Sequence, residues 1–223
     1  MSNYFQQIPD FEYVSRLPDA KISDYIKVKN LFKRGELRSD IFQDLATFEK
    51  YQIMGDDRPD NVANKFYQDS DLDWLVLICN NIINVQTEWP LMQRDFERFL
   101  LDKYETHAAL EDVHHYETQE IKNSKGVLML EKGLEVESDM TFSYYDWWLD
   151  EQQNITNSNT VTAVTNYQYE EKIEDAKRNI YLLKTRYISL VIDDMEQLMT
   201  YKKGSTQYID ETLKQAENIR LYQ

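Results

Sequence analysis

Between Tyr51 and Leu91 the spacing of apolar residues changes period, and with it the kind of element the chain predicts. The alternation of Tyr51 and Ile53 predicts a short strand that ends at Gly55 in an acidic turn. Pro59 then suits the start of a helix, where its missing N–H costs nothing. Val62, Ala63 and Phe66 follow at helical spacing and share one face. A second helix is predicted over Asp73–Asn80, with Trp74, Leu77 and Ile78 turned inward. Asn80 and Asn81 stop it, because asparagine tolerates the left-handed conformation of a helix end. Ile82-Ile83 then offers a second strand, which gives the order β-α-α-β.

The flanks read less regularly. Residues 1–40 mix aromatic and charged positions without a long period; Phe5, Phe11, Tyr13, Tyr25 and Phe32 are spaced anchors. They suggest an extended arm that lies on a neighbour and orders on binding, or one that packs on its own domain. Over 40–50, Ile41, Leu45 and Phe48 fit one helical face, with Asp40 as N-cap. After the turn Trp89-Pro90-Leu91, Met92, Phe96, Phe99 and Leu100 form the stripe of another helix. Alternation at His114–Ile121, the turn Asn123–Gly126 and the return at Val127–Glu131 signal a β-hairpin. Thr141–Trp148 offers a further strand, and Asn154–Asn159 a loop. Ile173, Ala176, Ile180, Leu183, Tyr187 and Leu190 step by three and four, predicting one long helix that Val191, Met195 and Leu198 continue. Lys203-Gly204-Ser205 closes it, and Ile209, Leu213, Ala216 and Ile219 predict a last short helix. The expected class is α+β. It has an arm at 1–44, the βααβ unit with its following helix at 45–100, an acidic β section at 101–165 and helices at 166–223.

Composition narrows the function. The net charge is −15 over 223 residues, and residues 104–165 alone carry 12 acidic and 3 basic side chains. Nucleic-acid partners and anionic membranes are disfavoured, since both need a basic surface. The acidity is either a solvated face or one that meets a basic partner and repels copies of itself. Sixteen tyrosines suit interfaces, and five glycines and four prolines argue against long structureless linkers. The lone Cys79 sits in an apolar run, and neither a secretory leader nor a membrane-length apolar run is recognisable, so a reducing cytoplasm is the expected place of synthesis.

Chemistry-bearing patterns are weak. His114 and His115 are adjacent, so on a regular strand they face opposite ways and cannot share an ion. Glu88, Asp95 and Glu97 near Trp89 evoke the paired carboxylates of a glycosidase, but such enzymes need a deep cleft with more chain around it, and these residues read instead as solvated helix faces and caps. No catalytic residue, metal ligand or cofactor is expected.

The β-α-α-β order resembles a LysM-type module, with Val62, Ala63, Phe66, Trp74, Leu77 and Ile78 as its core. A more specific likeness lies in G-D-D-R-P (Gly55–Pro59), V-A-N-K-F-Y (Val62–Tyr67), D-W-L-V-L-I-C-N-N-I-I (Asp73–Ile83) and W-P-L (Trp89–Leu91). These look like the baseplate wedge protein 53 family of contractile-tailed bacteriophages. The opening Y-F-Q-Q-I-P with Tyr13, the stretch Asn166–Lys184 and D-D-M-E at Asp193–Glu196 are similar to the family's two ends. The resemblance implies a structural subunit of the virion tail baseplate. It would join a nearly complete wedge, help six wedges associate around a central hub and work in a sixfold hetero-oligomer with other wedge proteins. Candidate partner contacts are Tyr4, Phe5, Phe11 and Tyr13 on the arm, and Ile180, Leu183 and Tyr187 on the expected helix seam. The competing reading is a glycan-binding LysM module that grips peptidoglycan through Trp74, Trp89 or Tyr67.

Overall fold

The computed structural model describes residues 3–21, 23–204 and 207–215. The chain is mixed α+β, as expected, and forms two compact units. One comprises Met1–Trp89 with Arg178–Gln223, the other Pro90–Lys177. The second unit is therefore inserted, along the chain, into the first. The boundaries expected at 44, 100 and 165 do not coincide with this division.

The first unit opens with a short helix, α1 (Tyr4–Gln7), capped by the Asn3 side chain. Strand β1 (Asp10–Val14) pairs antiparallel with β2 (Tyr25–Lys29). Asp10 lies between Lys29 and Lys27, at 3.0 and 3.2 Å. Burial opposes its ionisation, but the two ammonium groups outweigh that and hold the carboxyl below its ordinary range. The helix expected over 40–50 breaks in two. Helix α2 (Ser39–Gln43) stops early, and a single 3₁₀ turn over Leu45–Thr47 follows, with Leu45 73% exposed. Asp44 caps that turn, and the Thr47 hydroxyl donates to the Asp44 and Ile41 carbonyls, a local bonding pattern that competes with helix. Asp40 lies within α2 rather than capping it; Arg38 is at the N-cap.

Strand β3 (Phe48–Gln52) leads through Gly55, at φ +60°, into α3 (Pro59–Tyr67). Pro59 does open that helix, and Val62 and Ala63 are fully buried. Helix α4 (Asp73–Cys79) buries Trp74, Leu75, Val76 and Cys79, while Leu77 and Ile78 are half-buried. It is enclosed on more sides than the single inward face expected. Asn81 takes the left-handed conformation, φ 53°. Ile82-Ile83 is not a strand: the Ile82 N–H closes back on the Leu77 carbonyl, and Ile83 is exposed. Helix α5 (Val85–Glu88) follows, and the buried Trp89 donates its indole N–H to the Asp57 carbonyl at 2.9 Å.

The inserted unit begins with α6 (Gln93–Tyr104) and α7 (His107–Glu111). Phe96, Leu100 and Leu110 make its small apolar core, with Leu91, Tyr104 and Tyr167 against them. Met92 and Phe99, expected in the same stripe, are about 40% exposed and stand outside that core. Seven strands follow: β4 (Val113–Thr118), β5 (Ile121–Lys122), β6 (Leu128–Leu130), β7 (Glu135–Val136), β8 (Phe142–Asp146), β9 (Glu151–Ile155) and β10 (Val161–Thr165). The expected turn at Asn123–Gly126 joins β5 and β6, with Gly126 at φ +82°. The long strand β4 instead pairs with β10 and β7. Strands β8 and β9 form a separate hairpin. A short helical turn, α8 (Asn157–Thr160), precedes β10.

The last helix of this unit, α9 (Asn166–Lys177), overturns the expected seam. Its buried positions are Glu170 and Glu174, whereas Ile173 and Ala176 are exposed. Glu170 takes the Lys103 ammonium at 2.5 Å and the Tyr104 hydroxyl at 2.9 Å. Glu174 takes the Lys177 ammonium at 2.7 Å and the Leu91 N–H. Charge-assisted hydrogen bonds thus do on this face what an apolar stripe was expected to do.

The chain returns to the first unit as β11 (Asn179–Leu183), antiparallel to β3, with Ile180 opposite Tyr51 and Leu183 opposite Phe48. The long C-terminal helix is therefore two helices with a strand between them. Ile180 and Leu182 point inward and Tyr181 outward, at strand period, and Leu183 at the strand's end is buried as well. Asn80 fixes the edge of β11: its amide accepts from the Tyr181 N–H at 2.8 Å and donates to the Tyr181 carbonyl at 2.9 Å. The βααβ order is thus β3, α3, α4 and β11, closed by a strand about a hundred residues beyond Ile82. Helix α10 (Ile188–Met199) buries Val191, Met195 and Met199, one residue beyond the expected Leu198. Two strands, β12 (Tyr208–Asp210) and β13 (Leu213–Gln215), replace the expected final helix. Ser205, Ala216 and Ile219 of that expectation lie outside the described residues. Strand β13 runs parallel to β1, giving the sheet order β12-β13-β1-β2.

Candidate interaction surfaces

The arm residues hold distinct positions. Tyr4 packs 6.0 Å from the Trp74 ring and accepts the Gly35 N–H at 3.0 Å, so it belongs to the first unit's core. Phe5 is 59% exposed beside it. Phe11 and Tyr13 share one face of β1, with rings 6.2 Å apart and both half-buried, and Arg16 lies 5.6 Å over the Tyr13 ring. The arm is thus a strand within a sheet rather than an extended tether. Ile180 and Leu183, expected on the helix seam, are 5% and 0% exposed on strand β11 and lie in the first unit's core. Tyr187 is half-buried under the Arg186 guanidinium, 4.6 Å from its ring. The βααβ residues Val62, Ala63, Phe66, Trp74, Leu77 and Ile78 do meet in one cluster.

Residues proposed for glycan binding are poorly placed for it. Trp74 and Trp89 are 4% and 5% exposed. Tyr67 is half-buried, and burial pushes its phenol pKa up. Glu88 accepts the Asn84 and Ile83 N–H groups at 2.9 and 2.6 Å, which lowers its pKa and suits a capping carboxylate rather than a proton donor. Burial pushes the Cys79 thiol up to about 12, far from a thiolate nucleophile at neutral pH.

The histidine pair departs from the regular-strand expectation. His114 is an extra residue in the ladder between β4 and β10: Val113 pairs with Thr165 and His115 with Val164. This bulge rotates the ring, and the two Nδ1 atoms lie 2.9 Å apart. His114 stacks on Tyr169 at 3.9 Å, and His115 Nε2 meets Glu117 at 3.1 Å. The Lys172 ammonium at 2.5 Å outweighs burial and holds the Glu117 carboxyl below its ordinary range. Among the described residues no group of three or more His, Cys, Asp or Glu side chains is placed to hold a metal.

Two open clefts lie in the first unit. One, of about 370 Å³, is lined by Arg34, Leu37, Phe42, Ile78 and Asn81 among others. The other, of about 860 Å³, brings Lys33, Lys202 and Lys214 around Tyr201. Burial and then the two other lysines lower the Lys33 pKa. In the inserted unit the most exposed aromatic positions are Trp147 and Trp148, at 83% and 67%. They occupy the turn between β8 and β9, where the strand expected over Thr141–Trp148 would have ended.

The family model for base plate wedge protein 53 matches residues 4–198. The chain belongs to that family. The match reaches into both compact units and ends before β12 and β13. No curated protein matches the chain. Membership makes this a phage structural protein of the tail baseplate wedge. Among the described residues no helix is long and apolar enough to cross a membrane.

Proposed function

We propose that the chain is a non-enzymatic assembly subunit that joins a tail baseplate wedge through protein–protein contacts and helps neighbouring wedges associate around the central hub. The family match across residues 4–198 carries this reading. The distribution of side chains supports it: large apolar residues stand exposed on both units, at Phe32 and Trp147 among others. In the proposed assembly the partners are other wedge proteins, the stoichiometry follows the sixfold symmetry of the baseplate, and the chain needs no cofactor. The β3-α3-α4-β11 unit, in this reading, is a LysM-like scaffold serving assembly. The burial of Trp74 and Trp89 weighs against a glycan site there.

The test is reconstitution. Wedge precursors assembled without this subunit are purified and mixed with the isolated chain. The reading expects stoichiometric incorporation and, with it, association of wedges into ring-shaped baseplates under the electron microscope. Retention of the chain on insoluble peptidoglycan, with no incorporation into wedges, would establish the glycan-binding alternative instead.

A further inference from the structure

Among the described residues strands β8 and β9 pair only with one another, and their connection Trp147-Trp148-Leu149-Asp150 has unusual chemistry for a turn. Turn positions ordinarily take small or polar residues. Here Trp147, Trp148 and Leu149 are 83%, 67% and 54% exposed. They leave on the order of 400 Å² of apolar surface in water, the size of the largest patch on a typical monomer.

The turn is nevertheless firmly built. Asp146 is 1% exposed, and its carboxylate accepts the Trp148 N–H at 3.0 Å and the Ser124 N–H at 3.1 Å. Its carbonyl accepts the Leu149 N–H at 3.1 Å. Asp150 supplies the left-handed residue, φ 55°, and takes the Tyr145 hydroxyl. Each indole is steadied at one side: Trp147 edge-on to Tyr145 at 4.9 Å, Trp148 beneath the Lys125 ammonium at 5.4 Å. Two tryptophans are thus held outward by polar groups rather than folded in, which lowers the ordering cost of binding.

The charge along the flanking sequence points to the partner's chemistry. Residues 131–155 carry seven acidic side chains and one basic, and of the acidic ones only Asp146 is buried, while Lys125 covers one side of Trp148. We propose that the Trp147–Leu149 tip docks into an apolar pocket rimmed by lysine and arginine on another protein subunit of the baseplate. This deepens the assembly reading above and rests on it. Acidic flanks disfavour an anionic lipid surface, and they disfavour the same hairpin of a second copy.

The experiment titrates the full chain against purified wedge precursors that lack it. Trp147→Ser/Trp148→Ser should weaken association about 100-fold or more while leaving the melting temperature unchanged, because both side chains are exposed. Leu149→Ser, tested separately, should weaken it in the same direction. Glu151→Lys should slow association and flatten its salt dependence, the mark of a basic rim. Wild-type chain that binds and a double variant that binds equally would overturn this inference and leave the assembly reading standing. Wild-type chain that fails to bind would overturn both. Binding to phosphatidylcholine vesicles or to soluble peptidoglycan fragments, lost in the double variant and competitive with wedges, would overturn the protein partner. Self-association abolished by the double variant would overturn the choice of a different subunit.

Discussion

Trp74 carries both a large apolar body and an indole N–H, and the two fare differently. The body lies in the first unit's core against Tyr4, while the buried Nε1 has no hydrogen-bond partner among the described residues. Trp74→Ala should therefore cost about 3–5 kcal/mol, as for other large core truncations. Trp74→Phe should cost distinctly less, since it removes the unsatisfied donor together with part of the ring. Chemical denaturation of the two variants checks the ordering, and equal losses would show that the N–H is satisfied in solution. Glu117 makes a prediction of opposite character. Its folded pKa lies below the ordinary 4.5 because Lys172 and His115 favour the carboxylate. A depressed pKa contributes stability above the unfolded value and loses it as pH falls through the folded one. Melting temperature should therefore fall on acidification below about pH 4.5, and Glu117→Gln should fall less steeply over that range. Parallel melts at pH 6 and pH 3.5 measure the difference.

At the scale of elements, β11 decides how far local pattern reaches. Pro59, the Val62-Ala63-Phe66 spacing and the Asn80-Asn81 stop made α3 and α4 legible, because each signal acts within one or two turns. Asn179–Leu183 was not legible in this way. Ile180 and Leu183 fit a helical face, Ile180 and Leu182 fit a strand face, and only pairing with the distant Phe48–Gln52 chooses between them. The same ambiguity hid Glu170 and Glu174, since partners such as Lys103 and Leu91 lie far away in sequence. The tip tryptophans were misread for a different reason: an aromatic run inside an alternating stretch looks like strand, and its exposure is a tertiary property. Two substitutions test β11. Leu183→Asp places an unpaired charge in the core and should unfold the isolated chain at least as severely as Trp74→Ala. Retention of native circular dichroism would mean that the seam faces a partner after all. Asn80→Ala removes both hydrogen bonds to Tyr181 and should cost about 1–3 kcal/mol, with Asn80→Asp, which can accept but not donate, intermediate.

Across the whole molecule the two units rest on different interactions. Among the described residues, 21 buried hydrophobic side chains belong to the first unit and only Phe96, Leu100, Leu110 and Ile121 to the inserted one. The inserted unit instead buries Thr118, Asp146, Thr160, Glu170 and Glu174, held by hydrogen bonds. It also carries 19 acidic and 8 basic residues, a net −11 of the chain's −15. Self-repulsion and a thin apolar core both lower its margin of stability. Native-state hydrogen exchange should therefore show the backbone amides of β8, β9, β5 and β6 opening at free energies well below those of β3, α4 and β11. Because like charges weaken this unit, added salt should narrow the gap by screening them over a Debye length of about 8 Å at 0.15 M. Incorporation into a wedge should protect β8 and β9 most, since they flank the proposed docking tip. Uniform protection across both units in the free chain would show that they open as one cooperative block. Protection of β8 and β9 that does not change on incorporation would separate the hairpin from assembly and place the wedge contact on the first unit.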